Sequence, residues 1–264
     1  TYMRLPANVT VEVPRHPRSK VGTYLPGVTG KHPLLREELV NLPNPLAMTV
    51  RCQGETLDMD SACIKSFART LDLRDGILYR QFLWQLPNGT LRCEFSRYVS
   101  QSTPGLIVQH LRFCANRDMA VSLEAFIDAD VTTNGYNHFS ARHFFHDTSS
   151  FGVTVTTDTG DIISLVSGCV GAPAVLSDGR ASLFLHCPKA HPVQINRLSM
   201  VSCSRDSRFL QDEALSAELA SFCSACEDSL YEAHAAVWKQ LWQDSCITIR
   251  GDDHIQRSLN VCLY

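Results

Sequence analysis

The chain has 264 residues, enough to bury a core of its own, and its 44% hydrophobic and 19% charged residues are the proportions of a folded protein rather than a disordered one. Its 24 Lys and Arg stand against 27 Asp and Glu, a net charge of −3. That leaves no positive field of the kind non-specific nucleic-acid binding needs, so no nucleic-acid partner is expected.

The opening residues are rich in Pro and Gly and poor in periodicity, so everything before Leu46 reads as loop, edge strand or the remnant of a first strand. Thr1 stands first without Met, no charged-then-apolar signal pattern follows it, and a cytoplasmic location is expected. Strand-like runs then follow one another: Met48 to Cys52, Ile77 to Trp84, Leu91 to Ser100, Leu106 to Phe113, Val121 to Ile127, Val153 to Thr156 and Val193 to Val201. They alternate in polarity, are rich in β-branched and aromatic residues, and are punctuated by turn signals such as Pro87-Asn88-Gly89 and Asn134-Gly135. The most apolar stretch, Ile162 to Leu176, is broken by Ser164, Ser167, Gly168, Gly171 and Pro173 and falls short of the ~20 residues that span a bilayer. It reads as buried β structure, and no membrane partner is expected. No helical pattern separates the strands, so the expected fold is mainly β, a large antiparallel β-sandwich.

Beyond Asp206 the period changes. Leu210, Ala214, Leu215, Leu219, Phe222 and Cys226, then Leu230, Ala233, Val237 and Leu241, recur at three and four residues as one apolar helical face does. Cys246 to Ile249 is strand-like, and Gly251-Asp252-Asp253 caps a further helix that is still burying an apolar face at Tyr264. The expected organisation is a sandwich over 1–205 with an incomplete first edge, a helical linker over 206–245, and over 246–264 the start of a further helical domain; the sequence reads as cut at both ends.

Chemistry is sparsely signalled. No nucleophile elbow, phosphate-binding loop or dinucleotide fingerprint occurs. The 11 cysteines read as reduced thiols, and Cys223 and Cys226 form a lone pair without a second pair or a nearby His, so no metal is expected. His138, His143 and His146 share one segment, but on extended backbone neighbouring positions face apart, which favours a loop against solvent or a neighbouring domain. Asp128 and Asp130 lie on one strand face and read as a solvated strand end rather than a catalytic pair, whose members come from facing elements. Trp238 and Trp242, four residues apart on a helix, read as a domain interface rather than a sugar platform. Two sequons, Asn8-Val9-Thr10 and Asn88-Gly89-Thr90, matter only in a secreted chain.

An ordered set of segments carries more. Gly22-Thr23-Tyr24-Leu25-Pro26-Gly27-Val28, Glu38 to Leu46, Leu71-Asp72-Leu73-Arg74-Asp75-Gly76-Ile77-Leu78-Tyr79-Arg80, Ser96-Arg97-Tyr98-Val99-Ser100, Asp130 to Phe139, and the closing His234, Trp238, Leu241-Trp242, Gly251-Asp252 and Gln256 together resemble the N-terminal domain of glycoside hydrolase family 65. The acidic, aromatic-rich opening usual in that family is missing from Thr1 to Lys20. The resemblance implies a galactose-mutarotase-like super-sandwich followed by a helical linker and a catalytic (α/α)6 barrel. It also implies a parent that cleaves α-linked glucose disaccharides such as maltose, trehalose, kojibiose or nigerose, most often by inverting phosphorolysis. A glutamic acid of the barrel would protonate the glycosidic oxygen while inorganic phosphate, a co-substrate and not a cofactor, attacks the opposite face and yields β-glucose 1-phosphate. On this reading the chain is non-catalytic and inactive alone, no cofactor is expected, and its partners are the barrel of its own parent, the disaccharide and a second subunit of a homodimer. Asn134, Tyr136 and His138 would lie on an entrance or interface loop running from Asp130 to His146, and Trp238 and Trp242 would face the barrel. The competing readings are a stand-alone aldose epimerase of mutarotase type, which would need a His and a Glu converging on a sheet face, and a carbohydrate-binding module using exposed aromatics.

Overall fold

A computed structural model describes residues 22–225 and 227–264. The expectations for Thr1 to Lys20, for the Asn8 sequon and for Cys226 fall outside the described residues.

Among these residues two antiparallel sheets face each other. The larger has eight strands in the order β10-β11-β12-β15-β8-β7-β6-β5: Phe139–His146, Ser150–Thr157, Ile162–Val170, Val193–Cys203, Leu106–Ala115, Gly89–Val99, Ile77–Leu86 and Ile64–Asp72. The smaller has five in the order β13-β14-β9-β3-β4: Ala174–Ser177, Arg180–Cys187, Met119–Asp128, Asn44–Cys52 and Glu55–Thr56. A separate hairpin pairs β1 (Thr29–His32) with β2 (Arg36–Leu39). Strict alternation builds the core between the sheets: Phe82, Trp84 and Leu86 from β6 and Leu91, Cys93 and Phe95 from β7 face Val121, Leu123 and Ala125 from β9 and Leu183 and Leu185 from β14. Each such aliphatic or aromatic side chain removed from water is worth ~1.5–3 kcal/mol.

Where the sheets meet, Arg197 is 1% exposed and donates to the carbonyls of Ala47 and Phe126, residues paired across β3 and β9 beside a β-bulge. Its guanidinium also lies over the Phe151 ring. Burial lowers its pKa to about 10, still well above neutrality. One cation thus ties the two sheets together.

Helix α1 (Asp212–Cys223) lies on the other face of the large sheet, with Leu215 and Leu219 packed on Val108, Val166, Leu198 and Met200. This explains the apolar run after Ile162: β12 is buried on both faces, by the small sheet and by α1. The rest of that run is β13, in the other sheet. Helices α2 (Glu227–Ser245) and α3 (Asp253–Leu263) follow, the latter capped by Asp252, whose side chain accepts from the amides of His254 and Ile255.

The segment before Leu46, expected as loop, edge strand or the remnant of a first strand, contains the β1–β2 hairpin. Three local expectations need correction. Phe139–His146, expected as part of a loop, is the edge strand β10, paired with β11. Cys246 to Ile249 is not a strand; the amide of Ile249 and the carbonyl of Ile247 are satisfied by the side chain of Gln256 instead. The inward stripe of α2 runs through His234, Trp238 and Trp242, whereas Ala233 and Leu241 face out; a histidine and two indoles meet the backbone of the sheet turns where a purely aliphatic stripe would not.

Candidate functional site

The register of the large sheet brings several connections to one end: the turns after Asp72, Val99, Thr157 and Cys203, together with the start of β10. Two polar constructions stand at the opposite edges of this rim.

At the β10–β12 edge, Asn134 and Gly135 have φ of +48° and +92°, both left-handed, and Thr133 and Tyr136 exchange backbone hydrogen bonds around them at 2.9 and 2.7 Å. This is a type I′ turn, as the Asn-Gly pair dictates. The chain then reaches His138, which is 2% exposed. Its Nε2 lies 2.9 Å from Glu38 and its Nδ1 3.0 Å from Asp158. Asn134 donates to the second oxygen of Glu38 at 2.6 Å, and Asp158 also accepts from the amide of Lys31. Burial works against the imidazolium, but the hydrogen bonds to Asp158 and Glu38 outweigh it and raise the His138 pKa above the ordinary value. Glu38, opposed by its own desolvation, is lowered through the bonds from Asn134 and His138. The result is a clasp holding the β1–β2 hairpin on the sandwich. Tyr136 is exposed, edge-on to His32 at 5.3 Å.

At the β5–β6 edge, α2 docks through His234, whose Nε2 donates to the carbonyl of Asp75 at 2.6 Å while Nδ1 accepts from the amide of Gln101. These partners select the neutral Nε2–H tautomer, and burial lowers the pKa. The ring lies 4.4 Å from that of Tyr98. Trp242 donates to the carbonyl of Leu73 at 2.8 Å, Tyr231 to the carboxylate of Asp75 at 2.9 Å, and Trp238 stacks on Tyr264 at 5.0 Å. The Trp238 ring closes on Gly76, where a Cβ would come within 2.7 Å of it and φ is +65°. Both tryptophans are half-buried against the sandwich itself.

The other candidates scatter. His146 pairs with Asp178 at 2.7 Å and His143 stacks on Phe145, so neither joins His138. No group able to hold a metal ion is present among the described residues. Asp128 accepts from the amide of Asp130 at 3.0 Å in a local turn at the end of β9. The described cysteines are free, with Cys52, Cys93, Cys187 and Cys203 buried. No helix among the described residues is long and apolar enough to cross a membrane.

Sequence reasoning passed over Glu38 and Asp158 as partners of His138, since nothing local marks a carboxylate 100 positions away. It also passed over the outer face of β6–β8, where Tyr79, Gln81, Glu94, Ser96, His110 and Arg112 alternate with core residues, a period-two polar signal that was available. There the Nδ1 of His110 meets Asn196 at 2.9 Å and Glu227 at 3.1 Å. His110 and Glu227 thus lie side by side on this face, with Asn196 as the hydrogen-bond partner of the imidazole.

The family model described as "Glycosyl hydrolase family 65, N-terminal domain" matches residues 6–241. A kojibiose phosphorylase of Halothermothrix orenii is 24% identical over 92% of this chain and 34% of its own length. A 1,2-alpha-glucosylglycerol phosphorylase of Bacillus selenitireducens is 28% identical over 86% and 31%. Among solved structures, a putative kojibiose phosphorylase from the human microbiome superimposes with a TM-score of 0.78 at 19% identity, covering 97% of this chain and 34% of that one, and shares the fold. The chain spans about a third of the length of these relatives.

Proposed function

Because the chain belongs to the glycosyl hydrolase family 65 N-terminal domain family, we propose that it is the sandwich on which the catalytic barrel of an α-glucoside phosphorylase is seated, and that the rim carrying the His138 clasp and α2 is the seat. The observation that supports this best is the rim itself. Two rigid polar constructions stand at the same end of an eight-stranded sheet, at opposite edges roughly 30 Å apart by strand spacing, a span suited to a second domain rather than a small ligand. Asn134, Tyr136 and His138 form one contact of that seat. Trp238, Trp242 and the exposed Ile255 and Leu263 form the other, by linking the sandwich to whatever packs on α3.

The parent is proposed to split an α-linked glucose disaccharide with inorganic phosphate by inversion, as a cytoplasmic homodimer. Its general acid would lie in the barrel, so the sandwich contributes position and the shape of the entrance rather than a reacting group. His138 is built into the clasp, and its replacement would loosen the hairpin as well as the seat. The exposed Tyr136 tests the seat alone. In the full-length parent, Tyr136→Ala should lower turnover or weaken the dimer while the melting of the sandwich stays put. Unchanged kinetics together with unchanged oligomer mass would overturn the assignment of this loop.

A further inference from the structure

The inner face of the large sheet, core over most of its area, turns basic toward the β5 edge. Arg69, Arg80 and Arg97 each stand two residues from a core-facing phenylalanine, Phe67, Phe82 and Phe95, so all three lie on that face. Arg69 is directly opposite Arg80 across the β5–β6 ladder, and Arg97 lies two residues beyond the Phe95 that pairs with Arg80. Like charges placed opposite each other on neighbouring strands oppose folding. Lys65 adds a fourth cation, skipped by the register at the bulge between Ile64 and Ser66. The side chains of Lys65, Arg69 and Arg80 have no ion-pair or hydrogen-bond partner among the described residues. We propose that this row is a docking site for an acidic, extended polypeptide segment laid along the β5 edge.

The two faces of these strands differ in how charge is closed. On the outer face of β7 and β8, Arg92 and Arg112 share Glu94. On the inner face Arg80 is held over the rings of Phe82 and Phe95, at 5.7 and 5.3 Å. Ring contacts use none of its five N–H donors as hydrogen bonds, so these remain for oxygen acceptors. Burial first, then the charges of Arg97 and Arg69, lower its pKa to about 10, and it stays charged at neutral pH. Opposite Arg97 on β8, Gln109 is 4% exposed and its Oε1 has no hydrogen-bond partner among the described residues, a buried acceptor at the end of the row.

Spacing selects the ligand. The three arginines stand on adjacent strands ~4.8 Å apart, so the row spreads over ~10 Å. One phosphate meets one or two guanidinia, whereas carboxylates at every second residue of an extended segment repeat at ~6.8 Å and reach the whole row as bidentate partners. Because β5 ends the sheet among the described residues, a segment has room to lie beside it. Edge protection against strand pairing accounts for Lys65 and Arg69, but not for Arg80, one strand in. The proposal stands on this face alone and does not depend on what the parent catalyses.

The test is a titration of the 264-residue chain with a capped decapeptide of alternating glutamate and threonine, followed by backbone amide and arginine side-chain shifts. The controls are the same peptide with glutamine for glutamate, and inorganic phosphate. Saturable shifts at Ala68, Arg69 and Arg80 are expected below about 1 mM acidic peptide, weakening at least about tenfold as salt rises from about 0.05 to about 0.5 M. Arg69→Gln should weaken binding about tenfold. Arg69→Glu places a carboxylate beside Arg80 and should abolish binding without lowering the melting temperature. Arg51→Gln, on the outer face of the small sheet, should bind as the unaltered chain does. No saturable shift with the acidic peptide, equal binding of the glutamine peptide, or equal binding by Arg69→Gln would overturn the proposal. Saturation by phosphate at lower concentration than by the peptide would overturn the segment in favour of a small-anion site.

Discussion

Glu38 and His138 meet at 2.9 Å across a sequence separation of 100 residues, and the side chain of each is almost wholly removed from solvent. With Asp158 on its other nitrogen, the imidazole has two carboxylates to satisfy and can do so only as a doubly protonated ring. The hairpin β1–β2 is therefore fastened by a charge rather than by packing alone.

That charge makes the clasp pH-dependent. The folded pKa of His138 is raised above the unfolded value near 6.5, so its contribution is complete below that value and is lost as pH rises through the folded one. Hydrogen exchange of the amides of Lys31 and Val40 should accelerate on going from slightly acid to mildly alkaline pH beyond the intrinsic base catalysis, and His138→Gln should abolish the excess. A pH-independent protection factor would contradict the doubly protonated ring.

His234 has the opposite sign. Its pKa is lowered by burial, so its contribution is present above ~6.5 and fades as pH falls through that value toward the folded one. Acidification should loosen α2 from the turns at Asp75 and Gln101 while the clasp holds, seen as a red shift of tryptophan emission before global unfolding. Simultaneous loss of both regions at acid pH would count against this.

Gly76→Ala should act on the same docking surface. It places a Cβ against the Trp238 ring at a left-handed φ, at a cost of about 1–3 kcal/mol. Near-UV circular dichroism should lose tryptophan signal while the far-UV β signal persists; an unaltered near-UV spectrum would show that the helix is seated elsewhere.

Arg197→Met leaves the carbonyls of Ala47 and Phe126 without donors between the sheets and should cost roughly 2–4 kcal/mol. Urea denaturation would detect it as a lower midpoint at unchanged slope. A neutral outcome would mean the sheets close without that tie.

The central strands were legible because one face of each is apolar and the other is not, and the turn at Asn134-Gly135 because its dipeptide demands left-handed angles. Strands β5 and β10 were not, since edge strands such as Ile64–Asp72 and Phe139–His146 carry Lys65, Arg69, Arg142 and His143 on open faces, which erases the alternation. The same holds for the clasp: His138 was visible as a residue of interest, but its partners lie on β2 and on the β11–β12 turn, and only the folded register brings them together. The α2 stripe was misread by a residue because its inward groups hydrogen-bond to backbone and are polar at one end.

On the proposed reading this chain is a seat for catalysis performed elsewhere. The direct measurement is release of glucose 1-phosphate from maltose, trehalose, kojibiose and nigerose in the presence of inorganic phosphate, by the 264-residue chain and by its full-length parent side by side. The expected result is no product from the chain with any of the four and β-glucose 1-phosphate from the parent with at least one. Product from the chain alone, or a parent that acts on none of them, would contradict it.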